Sequence, residues 1–212
     1  YRGTKTAVHN FASASNPGGG VERGANAQEE CLCRCSGLFK CLNAPDAWSG
    51  FYMAHRAEHN PIHNDDIIYT PDVLVFKSDT VKPELMDEAD WYNVDVITCA
   101  APNLREKPSN AFNTGDGKDA IKITDKDLLA IHEKRLRRIL DVALSNKVET
   151  IVLGAFGCGA FMNNPNVVAQ ASKNVVNEYL YAFKNIEFAV YCSPKDDTNY
   201  RIFDRVLKPY TK

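Results

Sequence analysis

The sequence predicts a three-layer α/β domain, in which a sheet lies between two layers of helices. Short apolar segments typical of strands alternate along the chain with longer segments whose apolar residues recur every three or four positions. Strands that alternate with helices in this way pack as a sheet covered by helices. A chain of 212 residues has the length of one domain, and we expect residues 1–212 to form a single one.

Five short segments are predicted as strands because apolar residues dominate them and polar or turn-forming residues bound them. In chain order these segments are Thr6–Phe11, Val73–Phe76, Val94–Thr98, Thr150–Leu153 and Ile186–Tyr191. Open α/β sheets bind their ligands beyond the carboxyl ends of the strands. The loops that follow these strands are therefore the first candidates for function.

Four longer segments, residues 25–42, 124–146, 165–183 and 200–207, have the period of a helix. Thr124 is a suitable N-cap for the second, with Asp127 three residues on, and Pro165 suits the first position of the third. His132 lies on an apolar stripe and is predicted to pack in the core. The predicted inward residues are Leu32, Cys35, Leu38, Phe39 and Leu42, then Leu128, Leu136, Ile139, Leu140 and Ala143, then Val168, Val175, Tyr179 and Phe183.

Three polar segments lie between these elements. Residues 43–46, which include a proline, are predicted to end the first helix. Residues 55–66 are predicted to be irregular. Residues 103–118 are rich in Asn, Gly and Lys and are predicted to form an exposed loop.

The composition limits the possible partners and compartments. A formal net charge of −2 argues against broad binding to a nucleic-acid backbone, and no apolar run approaches membrane-spanning length. Seven cysteines, an odd number, favour reduced thiols over a secreted disulfide scaffold. We expect a cytoplasmic monomer, or a nuclear one in a eukaryote, with no membrane partner and no sequence-specific nucleic-acid partner.

A glycine triplet followed by two adjacent acids is the most informative motif. Gly18-Gly19-Gly20 leads through a short turn to Gln28-Glu29-Glu30 near the start of the first predicted helix. Glycines permit a positive φ or the close approach of backbone to a phosphate or ribose, although they also occur in plain loops. Acids at a helix N-terminus often do no more than balance the helix dipole. Here they adjoin the glycine loop, which favours a catalytic interpretation.

Helix geometry separates the roles of Glu29 and Glu30. Consecutive helical residues point about 100° apart, so the two carboxylates are poorly arranged to flank one glycosidic bond from opposite faces. One acid/base catalyst with one helper is the arrangement that the sequence favours.

A second glycine-rich loop, Gly157-Cys158-Gly159-Ala160-Phe161, follows the fourth predicted strand. Successive amides in such a turn can form an anion nest, and Phe161 could pack against a sugar ring. The alternative is a tight turn with Phe161 in the core. Because both glycine loops follow strands, they could line one cleft.

The spacing of the cysteines does not fit a metal site. Cys31, Cys33 and Cys35 point in different directions on a helix and have no distal Cys or His pair to complete a zinc site. Cys35 is predicted to be core, and Cys31 and Cys33 to face solvent or the cleft. Cys158 could in principle be a nucleophile, but the sequence places no base beside it. An adenine base could stack on one of three late aromatic residues, each of which could equally close the core: Tyr191, Tyr200 and Phe203.

These motifs together resemble the signature of the poly(ADP-ribose) glycohydrolases, which have three glycines, a short spacer and Gln-Glu-Glu. The preceding string Asn10–Pro17 is similar to the microbial-type branch of that family. The second glycine loop and the strand ending in Ala101-Pro102-Asn103 also match. One departure is Met162-Asn163-Asn164 after Phe161, where a glycine is more usual. Family members usually have more chain before the first strand, from which adenine contacts arise. This chain begins only a few residues before its first predicted strand, so we expect an N-terminal segment ahead of Tyr1.

The resemblance implies a macrodomain-like three-layer α/β/α fold with a mixed central sheet and an ADP-ribose cleft. It implies that Glu30 protonates the leaving ribose oxygen and then activates water, that Glu29 holds the adjacent ribose hydroxyls, and that Gln28 orients the nucleotide. Ser13 or Asn16 would replace the asparagine that macrodomains place near the distal ribose. No metal or other cofactor is implied. The implied binding residues are Gly18, Gly19, Gly20, Val21, Gln28, Asn16, Gly157, Cys158, Gly159, Ala160 and Phe161.

The function that follows is hydrolysis of the ribose–ribose O-glycosidic bonds of poly(ADP-ribose), with ADP-ribose as the product. The substrate would be the polymer or an ADP-ribosylated protein. Two alternatives stay open: a macrodomain that binds ADP-ribose without hydrolysis, and a hydrolase that removes single ADP-ribose units. The intact Gln-Glu-Glu argues against the first.

Overall fold

The computed structural model of the chain describes residues 3–106 and 121–210, and within them five strands form one mixed sheet. The strands are β1 (Thr6–Phe11), β2 (Ile68–Val75), β3 (Tyr92–Cys99), β4 (Thr150–Leu153) and β5 (Asn185–Phe188). Their order is β2-β3-β1-β4-β5, and β2 alone among them runs antiparallel to its neighbour. The predicted α/β class and the mixed sheet are therefore confirmed.

The α-helices of the described residues are α1 (Gln28–Cys35), α2 (Leu38–Leu42), α3 (Pro45–Ala47), α4 (Met53–Glu58), α5 (Asp125–Ser145), α6 (Pro165–Tyr179) and α7 (Thr198–Leu207). A π-helical segment, Trp48–Tyr52, joins α3 to α4. The N-cap of α5 is as predicted, because the Thr124 side chain accepts a hydrogen bond from the Asp127 N–H.

The prediction of one helix over residues 25–42 is wrong, because the segment forms two helices, α1 and α2, with a break at Ser36. Ser36 is extended and forms an isolated bridge with Val75, and the Gly37 N–H donates to the Leu74 carbonyl at 3.0 Å. The chain thus leaves the helix to add two contacts to the edge of β2. Such a contact depends on a partner almost forty positions away, so local periodicity does not indicate it.

Helix α2 ends at Leu42, so the prediction that residues 43–46 end the helical segment is confirmed, and α3 begins within them at Pro45. Two predictions about irregular segments need correction. His55 belongs to α4 rather than to an irregular stretch. Asn103 is fully buried instead of exposed, and its N–H donates to the Pro61 carbonyl at 2.7 Å. The remainder of the predicted 103–118 loop lies outside the described residues from position 107 onward.

Two apolar cores flank the sheet. One joins it to α5, α6 and α7, and the other joins it to α1, α2 and the π-helical segment. The five inward residues predicted for α5 are all buried, as is His132, which confirms the helical period there. Within the described residues, no helix is both long enough and apolar enough to cross a membrane.

Candidate active site

The two glycine loops follow neighbouring strands of the sheet and lie at the carboxyl ends of those strands. β1 and β4 pair in parallel, with Val8 opposite Val152, so their carboxyl ends point the same way. The first glycine loop, residues 16–20, follows β1, and the second, residues 157–161, follows β4. At the shared edge Phe11 packs so closely on Gly154 that an added Cβ there would lie 2.9 Å from the Phe11 ring. The topology therefore brings both loops to the carboxyl end of the sheet.

The glycine triplet lies directly against the two acids. Gly18 and Gly19 have φ values of +64° and +61°, which L side chains rarely adopt. A Cβ at Gly19 would collide with the Glu30 carboxylate and would lie 3.1 Å from Glu29 Oε2. Glycine is thus required at position 19 both by its backbone conformation and by its contact with the carboxyl groups.

The two carboxylate oxygens of Glu30 have different environments. Its Oε1 accepts a hydrogen bond from the Gly20 N–H at 2.8 Å. Its Oε2 is buried and has no hydrogen-bond partner among the described residues, although the side chain as a whole is 7% exposed. A buried carboxylate oxygen without a partner is costly, and it is the kind of group that a ligand satisfies.

Glu29 has both of its oxygens engaged. Oε2 accepts from the Ser13 N–H at 2.7 Å, and Oε1 accepts from Asn10 Nδ2 at 3.3 Å. Asn10 Nδ2 also contacts Thr98 Oγ1 on β3, at 3.1 Å. Burial raises the pKa of Glu29 to about 8, although its hydrogen bonds to Ser13 and Asn10 act in the opposite direction. The two adjacent acids therefore lie in different environments.

Gln28 binds the protein backbone with both ends of its amide. Its Nε2 donates to the His9 carbonyl at 2.7 Å, and its Oε1 accepts from the Phe11 N–H at 2.8 Å. This side chain takes the place of a neighbouring strand where β4 no longer pairs with β1. These contacts give Gln28 a role in attaching α1 to β1, which the sequence motif alone did not indicate.

The first glycine loop has an anchor from α4. Arg56 Nε donates to the Ser15 carbonyl at 2.7 Å, and Arg56 Nη2 donates to Asn16 Oδ1 at 2.9 Å. Its guanidinium group lies 4.6 Å from the centroid of the Trp48 ring. Val21 follows the loop, donates its N–H to the Gly18 carbonyl and packs against the core. No sequence signal pointed to Arg56, because its partners lie about forty residues away.

The second glycine loop turns tightly at Gly157. Its φ is +78°, and a Cβ there would lie 2.7 Å from that of Ala101 and 2.8 Å from Asn163 Nδ2. Cys158 is half-buried, and burial raises the pKa of its thiol to about 12, which disfavours a nucleophilic thiolate. A Cβ at Gly159 would meet nothing within 4 Å, and Ala160 is exposed. Beyond Gly157, the loop thus presents backbone to open space.

Phe161 is neither fully core nor fully exposed. Its ring centroid lies 6.0 Å from that of His63, and the Arg105 guanidinium carbon lies 5.7 Å from the ring. Its carbonyl accepts from the Leu104 N–H at 2.9 Å, which ties the loop to the chain that follows β3. Both interpretations of Phe161 remain compatible with this half-buried position.

The cysteines of α1 and the aromatic residues near the C-terminus differ in how deeply they are buried. Cys35 is buried as predicted, whereas Cys33 is buried in the core rather than facing solvent or the cleft. Among the aromatic residues, Phe203 belongs to the core beside Phe188, and Tyr191 is 85% exposed. Within the described residues no cluster of three or more His, Cys, Asp and Glu side chains could hold a metal ion.

The fold and the site define a class: a macrodomain-like α/β protein with paired carboxyl groups beneath a glycine loop at the strand ends. Comparisons with known proteins agree with this class. Residues 1–78 match the family model described as the microbial-type PARG (poly(ADP-ribose) glycohydrolase) catalytic domain. No curated protein matches the sequence.

Solved structures extend the similarity to nearly the whole chain. The poly(ADP-ribose) glycohydrolase of Deinococcus radiodurans in complex with ADP-ribose is 33% identical, with a TM-score of 0.80 over 98% of this chain and 77% of that one. The enzyme of Thermomonospora curvata bound to the inhibitor ADP-HPD is also 33% identical, with a TM-score of 0.81 over 96% of this chain and 71% of that one. The chain belongs to the microbial-type poly(ADP-ribose) glycohydrolase family.

Proposed function

We propose that this chain is a glycosidase that hydrolyses the ribose–ribose O-glycosidic bonds of poly(ADP-ribose) and releases ADP-ribose, with Glu30 as its single general acid/base. Its family membership and the ADP-ribose and ADP-HPD complexes of its relatives support the substrate class. The assignment to Glu30 rests on the geometry of its carboxyl group.

The observation that carries the assignment is the difference between the two acids. Glu30 Oε2 is buried and has no hydrogen-bond partner in the described part of the chain, while Oε1 is oriented by the Gly20 N–H at 2.8 Å. Both oxygens of Glu29 already accept hydrogen bonds, from Ser13 and Asn10. A general acid/base must reach the reacting oxygen within hydrogen-bond distance, and Glu30 has the oxygen available for that contact.

The reaction then takes two steps. The protonated Glu30 carboxyl gives its proton to the glycosidic oxygen, the bond from that oxygen to the anomeric carbon breaks, and the leaving ribose departs as an alcohol. A water molecule attacks the anomeric carbon, and the Glu30 carboxylate takes one proton from that water. Glu30 ends protonated, as it began, so the cycle balances.

The remaining residues bind and orient the substrate in this proposal. The backbone of both glycine loops contacts the diphosphate and the distal ribose in this proposal, because glycines let a ligand approach the main chain closely. Glu29, whose pKa burial raises to about 8, holds its proton near neutral pH and can donate a hydrogen bond to a ribose hydroxyl. Gln28 acts indirectly, since its amide is bonded to His9 and Phe11.

In this proposal residues 1–212 act as one domain in a cytoplasmic monomer.

The substrate is the polymer or an ADP-ribosylated protein, and a comparison of two substrates distinguishes polymer hydrolysis from the removal of single ADP-ribose units. Incubation with labelled poly(ADP-ribose) and, separately, with mono-ADP-ribosylated protein shows which releases ADP-ribose. Release only from the mono-modified protein would replace the polymer hydrolase with a mono-ADP-ribosyl hydrolase.

Glu30→Gln tests the catalytic assignment. Glutamine can still accept from the Gly20 N–H but cannot give or take the proton, so we expect kcat to fall by about 10²- to 10⁴-fold while ADP-ribose still binds in calorimetry. Glu22→Gln is the matched control, because Glu22 is an exposed acid just after the same loop. Equal turnover by both variants would refute the role of Glu30, and binding without hydrolysis by the wild type would indicate an ADP-ribose-binding module.

A further inference from the structure

Asn163, just beyond the second glycine loop, binds three of the carbonyl groups that shape it. Its Nδ2 lies 2.7 Å from the Pro102 carbonyl oxygen, 3.1 Å from that of Gly157 and 3.2 Å from that of Phe161. The Asn163 N–H also donates to the Gly157 carbonyl at 3.0 Å. Asn163 is 2% exposed, so these contacts are made away from water, where an unmade hydrogen bond is costly.

His132, on α5, fixes the orientation of this amide. Its Nε2 lies 2.8 Å from Asn163 Oδ1. The three carbonyls require the amide nitrogen of Asn163 on their side, so Oδ1 faces His132 and accepts a hydrogen bond from the Nε2–H. The imidazole is 2% exposed and packs edge-on against Phe156 at 5.5 Å between ring centroids. Burial lowers the pKa of His132 to about 4, so the ring is neutral at pH 7 with its proton on Nε2.

The same asparagine lies directly beneath the turn of the loop. A Cβ at Gly157 would meet Asn163 Nδ2 at 2.8 Å and Cγ at 2.9 Å. The side chain of Asn163 therefore joins the start of the loop at Gly157, its end at Phe161 and the chain beyond β3 at Pro102. Its removal would release all three points at once.

We propose that Asn163 and His132 are positioning residues that hold the second glycine loop in its ligand-binding conformation. Neither contacts the substrate in this proposal; they act through the backbone of residues 157–161. The inference rests on the proposed function, in which that backbone binds the diphosphate and distal ribose of ADP-ribose. Since Glu30 lies beside the other glycine loop, loosening the second loop weakens binding and leaves the chemical step largely intact.

The test compares Asn163→Ala and His132→Leu with His132→Gln, which keeps an N–H donor toward Asn163. Leu140→Ala is the matched control, because Leu140 is fully buried on the same helix as His132 and belongs to the core beneath it. We expect the first two variants to raise the Kd for ADP-ribose and the KM for polymer at least about tenfold, with kcat within about twofold. His132→Gln should recover most of the affinity, and Leu140→Ala should lower stability without changing Kd.

Hydrogen exchange separates this inference from the proposed function. The Cys158 N–H donates to Ala155 and the Leu104 N–H donates to Phe161, so both amides report the order of the loop without any ligand. Faster exchange of these two amides in Asn163→Ala but not in Leu140→Ala supports the positioning role, even if the wild type cleaves no polymer. The positioning role would be overturned if Asn163→Ala left the exchange of these two amides unchanged. It would also be overturned if the wild type bound ADP-ribose and the variant had the same Kd, or if kcat fell by as much as KM rose.

Discussion

Glu29 makes the stability of this protein depend on pH. Its side chain is 3% exposed, and this burial raises its pKa from the ordinary 4.5 to about 8. Between these two values the folded carboxyl keeps its proton while the unfolded one has lost it. A raised carboxyl pKa means that the folded state binds more protons, so the free energy of unfolding falls as the pH rises from about 4.5 to about 8.

The size of this effect follows from the distance between the two pKa values. Each pH unit between them corresponds to about 1.4 kcal/mol. Glu29 therefore lowers the free energy of unfolding by about 3 kcal/mol at pH 7 and by about 5 kcal/mol above pH 8, relative to acidic solution. This is a large fraction of the stability of an ordinary domain.

Glu29→Gln removes the titration and is measured by urea unfolding at several pH values from 5 to 9. The glutamine oxygen can accept from the Ser13 N–H, but its amide nitrogen then faces the donor Asn10 Nδ2. The loss of that hydrogen bond changes the free energy of unfolding by an amount that does not depend on pH. Every other titrating group is shared, so the difference between the two proteins isolates Glu29. We expect the variant to gain stability relative to the wild type by about 4 kcal/mol between pH 5 and pH 9.

Glu149→Gln is the control for this measurement. Glu149 is paired with Lys184 at the surface, and its hydrogen bond to Lys184 lowers its pKa, so it is ionised in both states throughout this pH range. Its difference from the wild type should stay level from pH 5 to pH 9. A level difference for Glu29→Gln as well would refute the argument that burial keeps this carboxyl protonated.

Three further predictions concern other parts of the molecule. Gly19→Ala should lower turnover more than Gly24→Ala, because only a Cβ at position 19 would meet the Glu30 carboxylate. Both glycines have a positive φ, +61° and +76°, so the backbone conformation alone should cost each variant about 1–2 kcal/mol of stability. Equal kcat values would contradict the steric argument. Arg135→Leu should lower the free energy of unfolding by about 3–5 kcal/mol in urea titrations, because this buried side chain donates to three backbone carbonyls and a carboxylate. A loss under about 1 kcal/mol would show that these contacts contribute little. Cys158→Ala should retain kcat in polymer hydrolysis, because burial raises the thiol pKa to about 12 and the side chain supplies no nucleophile; a loss as large as that of Glu30→Gln would assign it a role in the chemistry.

Much of the fold could be predicted because the signals are local. The period of α5 and the cap at Thr124 depend only on residues within a few turns of one another, and both are confirmed. The start of β2 was missed because Pro71 interrupts its pattern and its register shifts between Thr70 and Val73. Pairing with β3 maintains the strand across that irregularity, and such pairing is not encoded in the strand itself.

The sequence by itself determined the glycine triplet, the adjacent acids, the family they indicate and the α/β alternation, since these depend on residue type and short spacing. Only the tertiary structure decided that Ser13 and Asn10 engage Glu29 while Glu30 Oε2 has no hydrogen-bond partner among residues 3–106 and 121–210. It also decided that Asn163 and His132 meet beneath the second loop. The reason is physical: burial and hydrogen bonding depend on neighbours brought together by folding, and those neighbours lie about 15 to 60 residues apart in the chain.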